Sequence, residues 1–289
     1  MKVKKTPTVL VLGATGMLGR VVYGYFKKKW PKETLGTTRK HSKQFLYLDV
    51  NETNSIRALF ANIKPDYIIN CIGILKDGDK NEINTVNVSF PKALETFSKK
   101  LKYQIINISS DSVYKPTSGA VFEKTKTNPV SYYGKSKLKG ETKINTLNIR
   151  TSIIGFDPKE HKGLLEYALK SNADTVGFTN QIWTGGTTLQ LSQFIEDVIS
   201  TDLHTLFQKT TVVNFAPLGP VSKYNIIQTF ENLTIKHEVK KELSDTHTTE
   251  LKSEYLDEQT LSKYNRDLAA SLMELINFDK AYAKTFKKN

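Results

Sequence analysis

The chain of 289 residues carries 42 Lys and Arg against 29 Asp and Glu, a formal charge of +13, and 38% of it is hydrophobic. That length suffices for one sizeable core or two linked ones, and the composition is that of a globular protein, not of a disordered segment. A single cysteine, Cys71, excludes an internal disulfide and a cysteine-based zinc cluster, and the five histidines lack the spacing of metal ligands.

No uncharged apolar run is long enough to cross a membrane, and the N-terminal residues lack the apolar core of a signal peptide, so a cytoplasmic protein is expected. All but five of the basic residues are lysines spread along the chain, without the arginine and aromatic clusters of nucleic-acid readers. The excess charge therefore reads as a solvated surface that would draw an anionic small molecule. Neither nucleic acid nor a membrane is an expected partner.

Along the chain the first element is the apolar run Val9 to Leu12, followed by Gly13-x-x-Gly16-x-x-Gly19 and then Val21, Val22, Tyr25 and Phe26 at helical spacing. A buried strand, a glycine turn and an amphipathic helix form a ready site for the pyrophosphate of a dinucleotide. Further strands are expected near 34–38, 45–48, 67–72, 104–109 and 147–150, with helices near 17–29, 54–62, 84–100 and 131–144. The runs Ile68-Ile69-Asn70-Cys71-Ile72 and Ile105-Ile106-Asn107-Ile108 read as strands buried on both faces. Such alternation predicts a Rossmann-like, doubly wound parallel α/β domain over 1–157. A smaller mixed α/β domain is expected over 158–289, with helices near 162–170, 189–199, 221–231 and 265–276 and a loop over "FTNQIWTGGTT". A strand near 211–215 is placed to return to the main sheet.

Within "SYYGKSKLKGE", Tyr133 and Lys137 are four apart and share one helix face. A phenol with its usual pKa of about 10 is a poor acid at neutral pH, and a neighbouring ammonium favours its ionised form. Some twenty residues earlier, "INISSDSVY" delivers Ser109, Ser110 and Asp111 to the carboxyl end of a strand, where open α/β sheets bind ligands. At the end of the second strand Thr38, Arg39 and Lys40 stand where an acidic residue would grip a free ribose hydroxyl, so a 2′-phosphate and NADP are favoured.

The order of the glycine turn, "LDV", "NCIG", "VNVSFPKAL", "SSDSVY", "YYGKSKLKGE" and "IRTSIIG" resembles the extended short-chain dehydrogenase/reductase superfamily. Within it the chain is similar to the dTDP-4-dehydrorhamnose reductase-like nucleotide-sugar 4-ketoreductases, including the branch acting on UDP-2-acetamido-2,6-dideoxy hexuloses. The resemblance implies that Ser110, Tyr133 and Lys137 are catalytic. It implies a cofactor site of Gly13, Thr15, Gly16, Met17, Leu18, Gly19, Thr38, Arg39, Asp49, Val50, Cys71, Ile72, Gly73, Asn87 and Ser109, with Tyr133 and Lys137. For the substrate it points to Lys76, Ser110, Asp111, Trp183 and Thr187.

The implied reaction is NADPH-dependent reduction of the C4 ketone of a UDP- or dTDP-linked 4-keto-6-deoxy hexose, with a homodimer as the assembly. A 4,6-dehydratase is disfavoured, because Ser112 stands where those relatives carry a glutamate. An epimerase, a bifunctional epimerase/reductase and a non-catalytic nucleotide-binding regulatory subunit are the alternatives.

Overall fold

The computed structural model describes residues 6–75, 79–116, 119–157, 163–170, 175–234, 238–244 and 249–279. β1 (Val9–Leu12), buried along its whole length, continues through the glycine turn into α1 (Met17–Lys29). Gly13 adopts a left-handed φ of +76°, and a Cβ on Gly19 would lie 2.1 Å from the Gly13 carbonyl oxygen. Only glycine meets both demands, which is why the turn is tight and the helix sits close on the strand. α1 ends on Lys27, Lys28 and Lys29, a favourable sign of charge at a helix C-terminus.

β2 (Thr34–Thr38), β3 (Leu46–Tyr47), α2 (Thr53–Asn62) and β4 (Tyr67–Asn70) follow. The single helix expected over 84–100 is instead α3 (Lys80–Asn84), a π-helical turn over Thr85–Ser89 and α4 (Phe90–Leu101). Next come β5 (Gln104–Ile108), β6 (Ala120–Val121), α5 (Tyr132–Lys139) and β7 (Thr146–Arg150). α5 stops well before the expected residue 144. Beyond Gly140 the chain is held differently, with the Lys143 and Ile144 N–H groups donating to Glu95 Oε1 at 2.7 and 2.8 Å.

The second half comprises β8 (Ile153–Ile154), α6 (Leu164–Lys170), β9 (Val176–Phe178), β10 (Ile182–Thr187), α7 (Thr188–Ser200) and α8 (Leu206–Lys209). It continues with β11 (Val212–Asn214), β12 (Leu218–Ser222), α9 (Lys223–Thr234), β13 (Lys240–Glu242), β14 (Glu250–Leu251), α10 (Glu258–Ser262) and α11 (Leu268–Phe278). The segment read as a loop, "FTNQIWTGGTT", carries β10, which pairs antiparallel with β12 and parallel with β8. Its two glycines conceal the strand pattern in the sequence, and the register shifts between Trp183 and Gly185.

Among the described residues, seven strands form one all-parallel sheet in the order β3-β2-β1-β4-β5-β7-β11. β11 therefore does return to the main sheet. Val9 and Val11 face α1 and the apolar side of α7, including Leu191, Phe194, Ile195 and Val198. Leu10 and Leu12 face Ile56, Leu59 and Phe60 of α2 and Phe90 and Leu94 of α4 on the other side. Alternate residues of one strand thus anchor two opposite helical layers. A separate core under α6, α9 and α11 gathers Phe156, Leu165, Trp183, Ile226, Phe230 and Leu272. The strand order reverses between β1 and β4, which opens a crevice at the carboxyl ends of the strands.

Candidate active site at the carboxyl edge of the sheet

α1 begins at Gly16 without a side-chain cap, so its first N–H groups point towards the crevice end of β1. A Cβ on Gly16 would meet only the Gly13 oxygen at 3.5 Å, leaving the approach to that backbone open. Thr37 Oγ1 accepts from the Gly13 N–H at 3.1 Å, and the Thr15 and Thr38 hydroxyls lie 3.4 Å apart, which fixes the turn against the end of β2. Arg39 and Lys40 are exposed immediately beyond. Met17 is half-buried at the mouth, whereas Leu18 packs into the core beneath. Close by, His41 stacks on Tyr47 with ring centroids 4.6 Å apart, a pair the sequence reading did not single out.

Asp49 turns its carboxylate onto the Asn51 N–H at 2.9 Å and Asn51 Nδ2 at 3.1 Å, with Val50 buried beside it. After β4, Cys71 and Ile72 are half-buried and Gly73 is exposed. Asn87, inside the π-helical turn, staples this segment to α5. Its Oδ1 accepts from Ile74 N–H at 3.0 Å, and its Nδ2 donates to the Ile74 carbonyl at 2.9 Å and to Ser136 Oγ at 3.0 Å. A uniform α-helix would turn that amide differently, and π turns of this kind gather at functional sites.

Ser110 follows β5 and caps a short 3₁₀ turn. Its Oγ accepts from Ser112 N–H at 3.1 Å and donates to Asp111 Oδ1 at 3.0 Å. α5 is capped by Ser131, which accepts from Gly134 N–H at 3.0 Å, and it presses closely on the 3₁₀ turn: a Cβ on Gly134 would lie 2.1 Å from the Ser112 oxygen. That approach brings Tyr133 close enough to Ser110 for the serine hydroxyl to act on the phenol. One helical turn later Lys137 is only 9% exposed, with Nζ 3.7 Å from where a Gly73 Cβ would stand.

Burial pushes the Tyr133 phenol up to about 12; the Ser110 hydrogen bond pulls it down and the Asp111 charge pushes it further up. Burial lowers the Lys137 ammonium to about 8, opposed by Glu141 and Cys71. The expected lowering of the phenol by Lys137 is therefore not what this geometry gives. Lys137 is not among the groups that shift the phenol; desolvation leads, and Tyr133 holds its proton at neutral pH. Burial also raises the Cys71 thiol, which makes it an inert wall residue and not a nucleophile.

Two substrate candidates are corrected. Thr187, 1% exposed, accepts from Gln190 N–H at 3.1 Å while Gln190 Oε1 accepts from Thr187 N–H at 2.7 Å. This capping box starts α7 and leaves no hydroxyl for a sugar. Trp183, 8% exposed, lies in the second core, and its indole N–H donates to Ser152 Oγ at 2.9 Å. Ser109 is likewise turned inward, donating to Glu141 Oε1 at 2.6 Å. Lys76 lies outside the described residues.

Behind the site stand groups that the sequence reading missed. Asn70, Asn107 and Asn148 occupy facing positions of β4, β5 and β7 and pass hydrogen bonds along the row, each step 2.9 Å. Asn148 ends the row on the Thr142 and Thr211 carbonyls. Arg150 makes a two-pronged pair with Glu141 at 2.8 and 2.6 Å and donates to the Tyr114 hydroxyl at 2.7 Å. The available signal was an asparagine repeated in three apolar strands, and one arginine closing the third. The charge of Lys223, at the start of α9, acts on Asp111 from the second half of the chain and favours its ionised form.

A glycine-bounded helix N-terminus and a basic β2 end on one parallel sheet, with Ser110, Tyr133 and Lys137 beside them, define a Rossmann-type α/β protein. Residues 7–157 match the RmlD substrate binding domain family, and the chain belongs to that family. A methionine adenosyltransferase 2 subunit beta from Xenopus tropicalis is 30% identical over 182 residues, covering 60% of this chain and 53% of that protein. The chain thus spans about half the length of that relative. A dTDP-4-keto-6-deoxy-D-glucose reductase from Streptomyces niveus is 26% identical over 140 residues, 47% of this chain and 46% of the relative. The crystal structure of dTDP-4-dehydrorhamnose reductase from Bacillus anthracis, in complex with NADP, superposes with a TM-score of 0.74 at 17% identity, covering 93% of this chain and 98% of that one.

Proposed function

We propose that this protein reduces the C4 ketone of a nucleotide-linked 4-keto-6-deoxy hexose, UDP- or dTDP-linked and with or without a 2-acetamido group, using NADPH. The observation that carries the reading is the convergence of Ser110, Tyr133 and Lys137 beside the glycine turn and the basic end of β2. The open backbone at Gly16 fits a pyrophosphate and the exposed Arg39 and Lys40 fit a 2′-phosphate. When bound, the reduced nicotinamide supplies a hydride. Ser110 holds the ketone oxygen, and Tyr133, protonated at neutral pH, gives it a proton. Lys137, held against Gly73, binds the nicotinamide ribose and steadies the phenolate left behind.

The test is the loss of NADPH absorbance on mixing with UDP- and dTDP-linked 4-keto-6-deoxy hexoses. Tyr133→Phe is expected to lower kcat by about a hundredfold or more while leaving NADPH affinity unchanged. A variant that turns over at the wild-type rate rejects Tyr133 as the proton donor. Similarity to the methionine adenosyltransferase subunit favours a second reading, a nucleotide-binding subunit of a larger assembly. Absence of NADPH consumption with every such sugar, together with a changed rate of S-adenosylmethionine synthesis when the chain is added to that enzyme, would favour it.

A further inference from the structure

α5 has only eight residues, too few to hold a pose by itself, so its neighbours must fix the turn that carries Tyr133 and Lys137. Ser136 lies between those two residues and is 4% exposed. Its one hydrogen goes to the Tyr133 carbonyl at 2.7 Å, and its oxygen accepts from Asn87 Nδ2 at 3.0 Å. Asn87, 2% exposed, gives its other Nδ2 hydrogen to the Ile74 carbonyl at 2.9 Å, and its Oδ1 accepts from the Ile74 N–H at 3.0 Å. Every donor in this set meets an acceptor. Turned over, the Asn87 amide would set N–H against N–H and oxygen against oxygen at Ile74.

A continuous path of hydrogen bonds thus runs from the backbone beyond β4, through Asn87 and Ser136, to the backbone of Tyr133. Gly73 sits beside that path, its Cβ position 3.6 Å from Asn87 Oδ1 and 3.7 Å from Lys137 Nζ. Bare backbone sets how near α5 lies: a Cβ on Gly134 would stand 2.1 Å from the Ser112 oxygen, and one on Gly140 would stand 1.9 Å from the Asn87 oxygen. Such contacts limit distance but not rotation about the helix axis, which needs a directional bond. We infer that Ser136 is a positioning residue: held by Asn87, it fixes the rotation of α5, and so the reach of Lys137 past Gly73 and the presentation of Tyr133 to the crevice.

The inference rests on the reading of this site as an NADPH-dependent reductase. A side chain ending about 5–6 Å from the helix axis moves by about 1 Å for each 10° of rotation. Misplacement of that size at a reacting centre can cost about a hundredfold in rate.

Ser136→Ala removes the hydroxyl that joins Asn87 to Tyr133. NADPH affinity is read by fluorescence titration, and turnover by NADPH absorbance with a UDP- or dTDP-linked 4-keto-6-deoxy hexose, each per folded molecule counted by circular dichroism. The NADPH dissociation constant is expected to rise about three- to tenfold and kcat to fall about tenfold or more, with KM for the sugar within about twofold of wild type. Ser136→Thr, which keeps the hydroxyl, should return NADPH affinity to within about twofold of wild type. In an Asn87→Ala background the bridge is already gone, so adding Ser136→Ala should change NADPH affinity by less than about twofold. If Ser136→Ala does not fold, Ser136→Cys, which fills the space but bonds weakly, takes its place in both backgrounds.

A lowered Tm with wild-type NADPH affinity and kcat would mark a hydroxyl that only supports the fold, and overturns the inference. Equal weakening of NADPH binding in the two backgrounds overturns it as well. A wild type that binds NADPH and reduces none of these sugars ends the reductase reading, and the NADPH titrations across the two backgrounds then decide Ser136 on their own.

Discussion

Replacing Glu141 by Gln should destabilise the protein and disturb the site at once. The Glu141 and Arg150 side chains are 8% and 6% exposed, and both carboxylate oxygens are engaged by the guanidinium. Removing one partner of a buried ion pair costs about 3–5 kcal/mol, because the other charge is left desolvated and uncompensated. Arg150 keeps its bond to the Tyr114 hydroxyl at 2.7 Å, which places the loss at the lower end, near about 3 kcal/mol. For a chain of this length that is a fall in Tm of roughly 6–12 °C, read by circular dichroism and checked by urea unfolding. The paired replacement Glu141→Leu with Arg150→Met should recover part of the loss, since it strands no charge. A loss below about 1 kcal/mol for Glu141→Gln would refute the account of Arg150 as a buried charge that depends on this partner. The same substitution removes a negative group that holds the Lys137 ammonium up, so Lys137 should titrate below its present value of about 8.

Two further outcomes test other parts of the site. Lys137 titrates at about 8 in the fold against 10.5 for a free lysine, so between those values the unfolded chain holds a proton that the native chain has released. Folding stability should therefore rise with pH across that window, and Lys137→Met should remove this part of the rise in urea unfolding measured from pH 7.5 to 10. Arg39→Ala should weaken NADPH binding by about tenfold to a hundredfold while leaving NADH affinity within about twofold, because only the 2′-phosphate bonds are lost; equal weakening of both would remove Arg39 from the phosphate site.

Much of this arrangement was legible in local pattern. The run Val9–Leu12 and the glycines after it predict a buried strand, a tight turn and a helix, and the structure supplies the reason in the φ of Gly13 and the contact at Gly19. The spacing of Tyr133 and Lys137 predicts a shared helix face, and α5 presents both to the crevice. Local pattern failed where a residue's partner is far away in the chain. The two glycines of β10 disguised a strand that exists because β8 and β12 flank it. Thr187 and Trp183 read as cleft residues, but the cap of α7 and the second core claimed them.

Composition and spacing by themselves predicted the parallel α/β class, the glycine corner, the basic end of β2 and the shared helix face of Tyr133 and Lys137, because each rests on neighbours within a turn or a strand; Ser110 joined that pair through the family resemblance. Tertiary structure alone decided the protonation of that group. Desolvation of Tyr133 and Lys137, the commitment of the Ser110 hydrogen to Asp111, the approach of Lys223 and the pairing of Glu141 with Arg150 all depend on which segments the fold packs together. Electrostatic energies follow distance and burial, and neither is written in the order of residues along the chain.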